Sequence, residues 1–174
     1  MKLEVLTKDD CEQARIWRNE CLVSLRTPYP LTKEQQEQFY HDVICNRNSP
    51  HRYWGIHEDG VFIGMGGLTN IAWESRQAEI SLILDPAKRG ECRGKQAVYL
   101  LLDRAFNYLN LDLVYGECYY ANTTGQHFWK TIVGDYHGKS SDLRKGKYWN
   151  GKTSMTMYFD IEKEEFQAYE VRSA

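Results

Sequence analysis

The chain has 174 residues, of which 42% are hydrophobic and 26% charged, and a formal charge of −2. That length fits one domain spanning residues 1–174, able to bury roughly two-thirds of its unfolded surface. With no surplus of basic residues to neutralise many phosphates, a general nucleic-acid binder is excluded.

Lys2 to Leu6 alternates as a first strand. Thr7-Lys-Asp-Asp10 then offers a helix start, with Thr7 or Asp9 as N-cap. Ala14, Trp17, Cys21 and Leu22 give Cys11–Leu25 an amphipathic helical pattern, which Arg26-Thr-Pro-Tyr-Pro30 breaks. Thr32-x-x-Gln35 is a capping box that opens a second helix to about Cys45. From His51 the period changes to two. Arg52–Glu58, the Asp59-Gly60 turn and Val61–Leu68 predict a hairpin, and Gln77–Leu84 the next strand. A helix follows to about Asn110, a strand over Asp112–Tyr119, and a helix from Asn122 to Ile132. Gly134–Leu143 and Thr153–Ile161 predict a closing antiparallel pair joined by a polar turn at Arg144–Lys152. The charged tail from about 162 is expected to be flexible. The order β-α-α-β-β-β-α-β-α-β-β describes a mixed α/β (α+β) domain on a mostly antiparallel seven-stranded sheet.

Met1–Thr7 has no long apolar core and no run reaches membrane-span length, so neither a signal peptide nor a membrane partner is expected. Five cysteines, at 11, 21, 45, 92 and 118, form no Cys-x-x-Cys pair, which predicts reduced thiols in a cytoplasmic protein. Five scattered histidines predict no metal site.

The stretch Leu82-Ile83-Leu84-Asp85-Pro86 leads into a short loop carrying Lys88, Arg89, Arg93 and Lys95 around Gly90 and Gly94, and then into a helix. A strand, a basic glycine-bearing loop and a helix N-terminus together form a phosphate cradle, because the first helical N–H groups lack internal partners. Glycine lets the chain turn and a ligand approach its backbone. The alternative is a solvated basic turn. Gln96 follows Lys95 where a nucleotide-hydrolase loop requires Ser or Thr, and no Gly-x-Gly-x-x-Gly dinucleotide fingerprint is present.

Arg89-Gly90-Glu91-Cys92-Arg93-Gly94 instead resembles the pyrophosphate loop of the GNAT N-acetyltransferase superfamily, Gln/Arg-x-x-Gly-x-Gly/Ala, with Cys92 in place of the first glycine. The element order resembles the same fold over nearly the whole chain. Trp17-Arg18-Asn19 resembles the branch containing ribosomal-protein N-terminal and amino-sugar acetyltransferases. The resemblance implies helices on both sheet faces, acetyl-CoA as co-substrate, and fourth and fifth strands that run parallel and then splay to admit the pantetheine. It places Arg89–Lys95 on the pyrophosphate and Leu82, Ile83 and Leu84 along the pantetheine. An N–H of that strand then faces the thioester carbonyl, where it would stabilise an oxyanion. Asn122 would contact the pantetheine. Trp129 occupies the position seven residues on, where many members carry the tyrosine that protonates the thiolate. Trp129 has no acidic proton to give, which leaves Tyr119 or Tyr120 for that task, or unaided departure.

Ala78-Glu79-Ile80-Ser81 resembles a segment whose carboxylate activates water to deprotonate the acceptor, making Glu79 the first candidate base and Glu117 the second. Trp17, Tyr29, Trp54 and Trp73 are candidate pocket linings. The resulting expectation is an N-acetyltransferase moving acetyl directly to a small amine, an amino sugar or a protein N-terminus in a ternary complex. A homodimer is expected from the family's sheet-edge pairing. The rival is a CoA-binding sensor with little turnover, motivated by Cys92 and Trp129.

Overall fold

Residues 1–26 and 28–173 are described by a computed structural model; Thr27, inside the expected break at 26–30, and Ala174 lie outside the described residues. Seven strands form one sheet: β1 (Lys2–Glu4), β2 (Arg52–Glu58), β3 (Val61–Ala72), β4 (Gln77–Leu84), β5 (Leu113–Tyr119), β6 (Lys139–Trp149) and β7 (Lys152–Glu162). They lie in the order β1-β2-β3-β4-β5-β7-β6, and every neighbouring pair is antiparallel except β4 and β5. Among the described residues there are five α-helices: α1 (Lys8–Glu20), α2 (Lys33–Phe39), α3 (Arg93–Asp103), α4 (Thr123–Asp135) and α5 (Lys163–Ser173). Among them none is long and apolar enough to cross a membrane.

Local chemistry sets the helix starts. The Thr7 hydroxyl accepts from the Asp10 N–H at 3.1 Å, and the Asp10 carboxylate accepts from the Thr7 N–H at 2.9 Å. Thr32 and Gln35 form the same reciprocal pair at α2. Both α2 and α3 end in a wider π-turn, at Tyr40–Ile44 and Arg104–Tyr108.

One face of the sheet carries the main core. Leu68, Ile80, Val114, Met157, Phe159 and Ile161 meet Val98, Leu101 and Leu102 of α3 and Ile132 of α4. On the opposite face Trp17 of α1 stacks on Phe62 at 5.3 Å. Alternation along β4 and β5 therefore puts Ala78, Ile80 and Val114 under α3, and Glu79, Tyr115 and Glu117 on the side of α1.

Two expectations are corrected. Where a flexible tail is expected from about 162, Glu162 ends β7 and Lys163–Ser173 form helix α5. Phe166 is fully buried there against Phe106 and Tyr136, at ring distances of 5.4 and 6.0 Å, so an apolar anchor outweighs the segment's charge. The last hairpin turns at Asn150-Gly151, not across Arg144–Lys152, and the polar residues before it extend β6 to Trp149. Asn150 and Gly151 have φ of 48° and 77°, the left-handed pair that a two-residue hairpin requires.

Candidate active site

β4 and β5 pair at three positions, Gln77 with Leu113, Ala78 with Val114 and Glu79 with Tyr115. Beyond them β4 runs to Leu84 and β5 to Tyr119 with no further pairing between the two among the described residues. On its other edge β4 stays bonded to β3, Leu82 opposite Gly66, Ile83 opposite Met65 and Leu84 opposite Gly64. Its alternate N–H and C=O groups on the β5 side therefore face a widening gap.

The gap ends at the basic loop. Asp85 accepts from the Ala87 N–H at 2.9 Å and shapes a turn over Pro86–Lys88. Gly90, Glu91 and Cys92 then all take positive φ, at 93°, 48° and 60°. For Glu91 and Cys92 this conformation costs about 1–2 kcal/mol each. The Arg93 N–H is turned back onto the Gly90 carbonyl at 3.1 Å, and the Gln96 N–H onto Cys92 at 3.0 Å. Between them the N–H groups of Gly94 and Lys95 have no acceptor within the helix. A Cβ built on Gly90 would meet nothing within 4 Å, so the loop is open at that point. Unpaired amides at a helix start, reached through an open turn, fit a diphosphate.

The four cations divide into two pairs. Arg93 donates to Glu58 at 2.7 Å and is bridged to Glu91 at 2.8 Å, while Lys95 donates to Asp135 at 2.7 Å. These two brace the loop. Lys88 and Arg89 are exposed and, among the described residues, form no ion pair; Arg89 donates to the Cys21 sulfur at 2.9 Å and the Leu84 carbonyl at 3.4 Å, so its charge is not neutralised. Gly94 has a packing role as well, since a Cβ there would stand 2.7 Å from the ring of Phe128.

Helix α4 supports the loop from below. Asn122 caps it, its Oδ1 accepting from the Gly125 N–H at 3.0 Å. Trp129 stacks on Phe159 at 4.7 Å and meets Phe128 edge-on at 5.0 Å, so its ring links α4 to β7. The Tyr120 hydroxyl donates to Asp142 at 2.7 Å, a bond that raises its pKa.

Across the sheet, Glu79 and Glu117 lie side by side on β4 and β5, 14% and 12% exposed. Arg26 joins them, its Nη2 donating to Glu79 at 2.6 Å and its Nε to Glu117 at 2.7 Å. Glu79 also accepts from the Asn70 amide at 2.9 Å, and Glu117 from the Tyr119 hydroxyl at 2.6 Å. Burial pushes the Glu117 carboxyl up, but the bonds from Tyr119 and Arg26 outweigh it and hold the group below the usual carboxylate range. Burial and the bond to Glu117 both raise the Tyr119 phenol.

Arg26 reaches this position because its segment is tied at both ends. Asn19 forms a reciprocal pair with the backbone of Leu31, both bonds 2.9 Å, and Arg15 donates to the same Leu31 carbonyl. Arg18 donates to the Tyr29 carbonyl at 3.2 Å. On the near side the buried Lys147 ammonium donates to the carbonyls of Leu22, Val23 and Leu25. Burial lowers the Lys147 pKa. The Trp17-Arg18-Asn19 motif thus works as a strap.

The candidate residues fall into three places. Leu82–Leu84 and Arg89–Lys95 share the gap and its mouth; Asn122, Trp129 and Tyr120 lie toward α4. Glu79 and Tyr120 are not in contact: one faces the α1 layer, while the other packs against the core beneath α3 and α4. Of the aromatic candidates, Trp17 and Trp54 pack inward, whereas Tyr29 and Trp73 are exposed. Arg26 went unrecognised in the sequence, where it reads only as the residue preceding a proline break; the odd charge before that break was the one available signal.

Residues 1–131 match the family model for the acetyltransferase (GNAT) domain. The spermidine N-acetyltransferase of Vibrio cholerae in complex with CoA and spermine superposes with a TM-score of 0.83 at 19% identity, covering 95% of this chain and 97% of that one. A dodecameric form of that enzyme gives a TM-score of 0.78 at 20% identity, over 95% of each chain. A search of the curated proteins gives no significant match. With the family model covering most of its length and its sheet open between β4 and β5, the chain belongs to the GNAT acetyltransferases, as an N-acetyltransferase with acetyl-CoA as co-substrate.

Proposed function

We propose that the chain transfers acetyl directly to a small cationic amine in a ternary complex, with the co-substrate held by residues 82–84 and 89–95. The observation that carries this reading is the gap between β4 and β5, closed at Glu79 and ending on the amides of the 89–95 loop. Acetyl-CoA supplies an activated acyl thioester. The chain's own groups bind, orient and move protons. Amides of Gly94 and Lys95, with Lys88 and Arg89, hold the diphosphate. N–H groups of Leu82–Leu84 that point into the gap donate to the acyl oxygen as charge develops on it. Glu79 takes a proton from the acceptor's ammonium, which frees the amine lone pair to attack the acyl carbon, with Glu117 beside it as the second proton acceptor. Asn122 keeps its amide NH2 available after capping α4, and Tyr120, once its hydroxyl leaves Asp142, supplies a phenolic proton to the departing thiolate.

A small cationic acceptor, rather than an amino sugar or a protein N-terminus, is supported by the paired carboxylates at the closed end of the gap. The spermine bound to the Vibrio enzyme is in keeping with it. That enzyme's dodecamer also makes self-association the expectation for this chain, which light scattering reads.

Calorimetry should show uptake of one CoA per chain; no uptake by the folded protein would overturn the reading. Thiol release should follow addition of acetyl-CoA with spermidine and exceed that with glucosamine or a peptide. Mass spectrometry of protein incubated with acetyl-CoA alone should find no acetylated Cys92. An acetyl adduct there would replace direct transfer with a covalent relay.

A further inference from the structure

We infer that Arg26 sets the acceptor class by occupying, with its own guanidinium, the seat of a cationic acceptor that displaces it. This rests on the acetyl-transfer reading above. Glu79 and Glu117 are mostly buried, whereas the Arg26 side chain that joins them is 60% exposed. Two carboxylates so placed require a cation, because an uncompensated buried charge is costly. Each also has a second partner: Asn70 on Glu79, and on Glu117 the Tyr119 hydroxyl, which also contacts Arg26. The carboxylates therefore keep their positions when the guanidinium leaves.

The segment carrying Arg26 is fixed before and after it, by Lys147 on Leu25 and by Asn19 on Leu31. Release consequently needs only side-chain rotation, which is fast for an exposed residue. The location is the last paired position before the strands diverge, Glu79 opposite Tyr115. Tyr115 and Tyr158 border it and bring aromatic rings near an alkylammonium, while the Tyr119 ring already carries the Lys147 ammonium at 4.6 Å. An acceptor bearing a carboxylate is disfavoured, since Arg26 is already outnumbered by the two glutamates. The exchange also serves the proton transfer. A glutamate bonded to guanidinium has a partner that cannot be deprotonated, whereas one bonded to the substrate's ammonium faces the proton it must take.

The test uses CoA-loaded protein and 1,3-diaminopropane as probe, with wild type, Arg26→Gln and Arg26→Lys. Removing the internal competitor should tighten diamine binding about tenfold in Arg26→Gln, with CoA affinity unchanged. Added guanidinium ion should compete with the diamine in Arg26→Gln and have little effect on wild type. In Arg26→Lys one ammonium cannot span both carboxylates, so a smaller gain in the same direction is expected. This variant retains a cation and preserves the test if Arg26→Gln fails to fold. Unchanged or weaker diamine binding in the folded variants, with CoA uptake intact, overturns the role of Arg26 and leaves the acetyl-transfer reading standing. Absence of CoA uptake by wild type instead removes that reading itself.

Discussion

The 89–95 loop and the Glu79–Glu117 pair stand at opposite ends of one gap, yet they are made of different material. The loop offers backbone: amides left over at a helix start, presented by three consecutive left-handed residues. Its side chains mostly hold it in shape, as Arg93 does through Glu58 and Lys95 through Asp135. The carboxylate end depends on side chains from β4, β5 and the segment after α1, brought together over 53 and 91 residues of sequence. A site made of amides tolerates an unusual residue such as Cys92, because the donor is the same in every residue except proline. A site made of carboxylates does not.

The sharpest test of that contrast is Glu79→Gln combined with Glu117→Gln. The pair should lower kcat/KM for the amine roughly 10²–10⁴-fold while CoA affinity, measured by calorimetry, changes less than about twofold. A matching loss of CoA affinity would merge the two ends into one unit. Next in size, Lys147→Met should cost about 1–3 kcal/mol in denaturant unfolding, by leaving the carbonyls of Leu22, Val23 and Leu25 unbonded, and should raise KM for the amine only.

The pH dependence follows from Glu117. Its folded-state pKa is depressed, so its stabilising contribution is present above the ordinary carboxylate value and is lost as pH falls from there through the depressed one. Thermal unfolding of Glu117→Gln should accordingly be flatter through this acidic window than wild type. The smallest effect is expected for Cys92→Gly, which relieves a left-handed residue: a gain of up to about 1 kcal/mol, with CoA affinity unchanged.

The same difference in material decided what could be seen beforehand. The loop is contiguous, and its glycines, cations and following helix lie in one short string. The capping pairs Thr7–Asp10 and Thr32–Gln35 are equally local, and β4 spans the expected Gln77–Leu84. Arg26 carries no such mark, because its role exists only once β4, β5 and the strap from Asn19 to Leu31 have assembled. α5 was hidden for a related reason: its charged residues dominate the string, while a single Phe166 supplies the anchor. The Asn150-Gly151 turn was legible by dihedral preference and was obscured by the polar, basic residues that precede it.

The five sulfhydryls also make the molecule its own reporter. Cys11 and Cys118 are enclosed, and burial pushes them up to about 12 and about 11, which removes them from reaction with an alkylating dye near neutrality. Cys45 and Cys92 are exposed, and only the latter sits in the loop assigned to the diphosphate. Maleimide labelling followed by peptide mapping therefore carries an internal reference: occupancy of the loop should shield one thiol and spare the other.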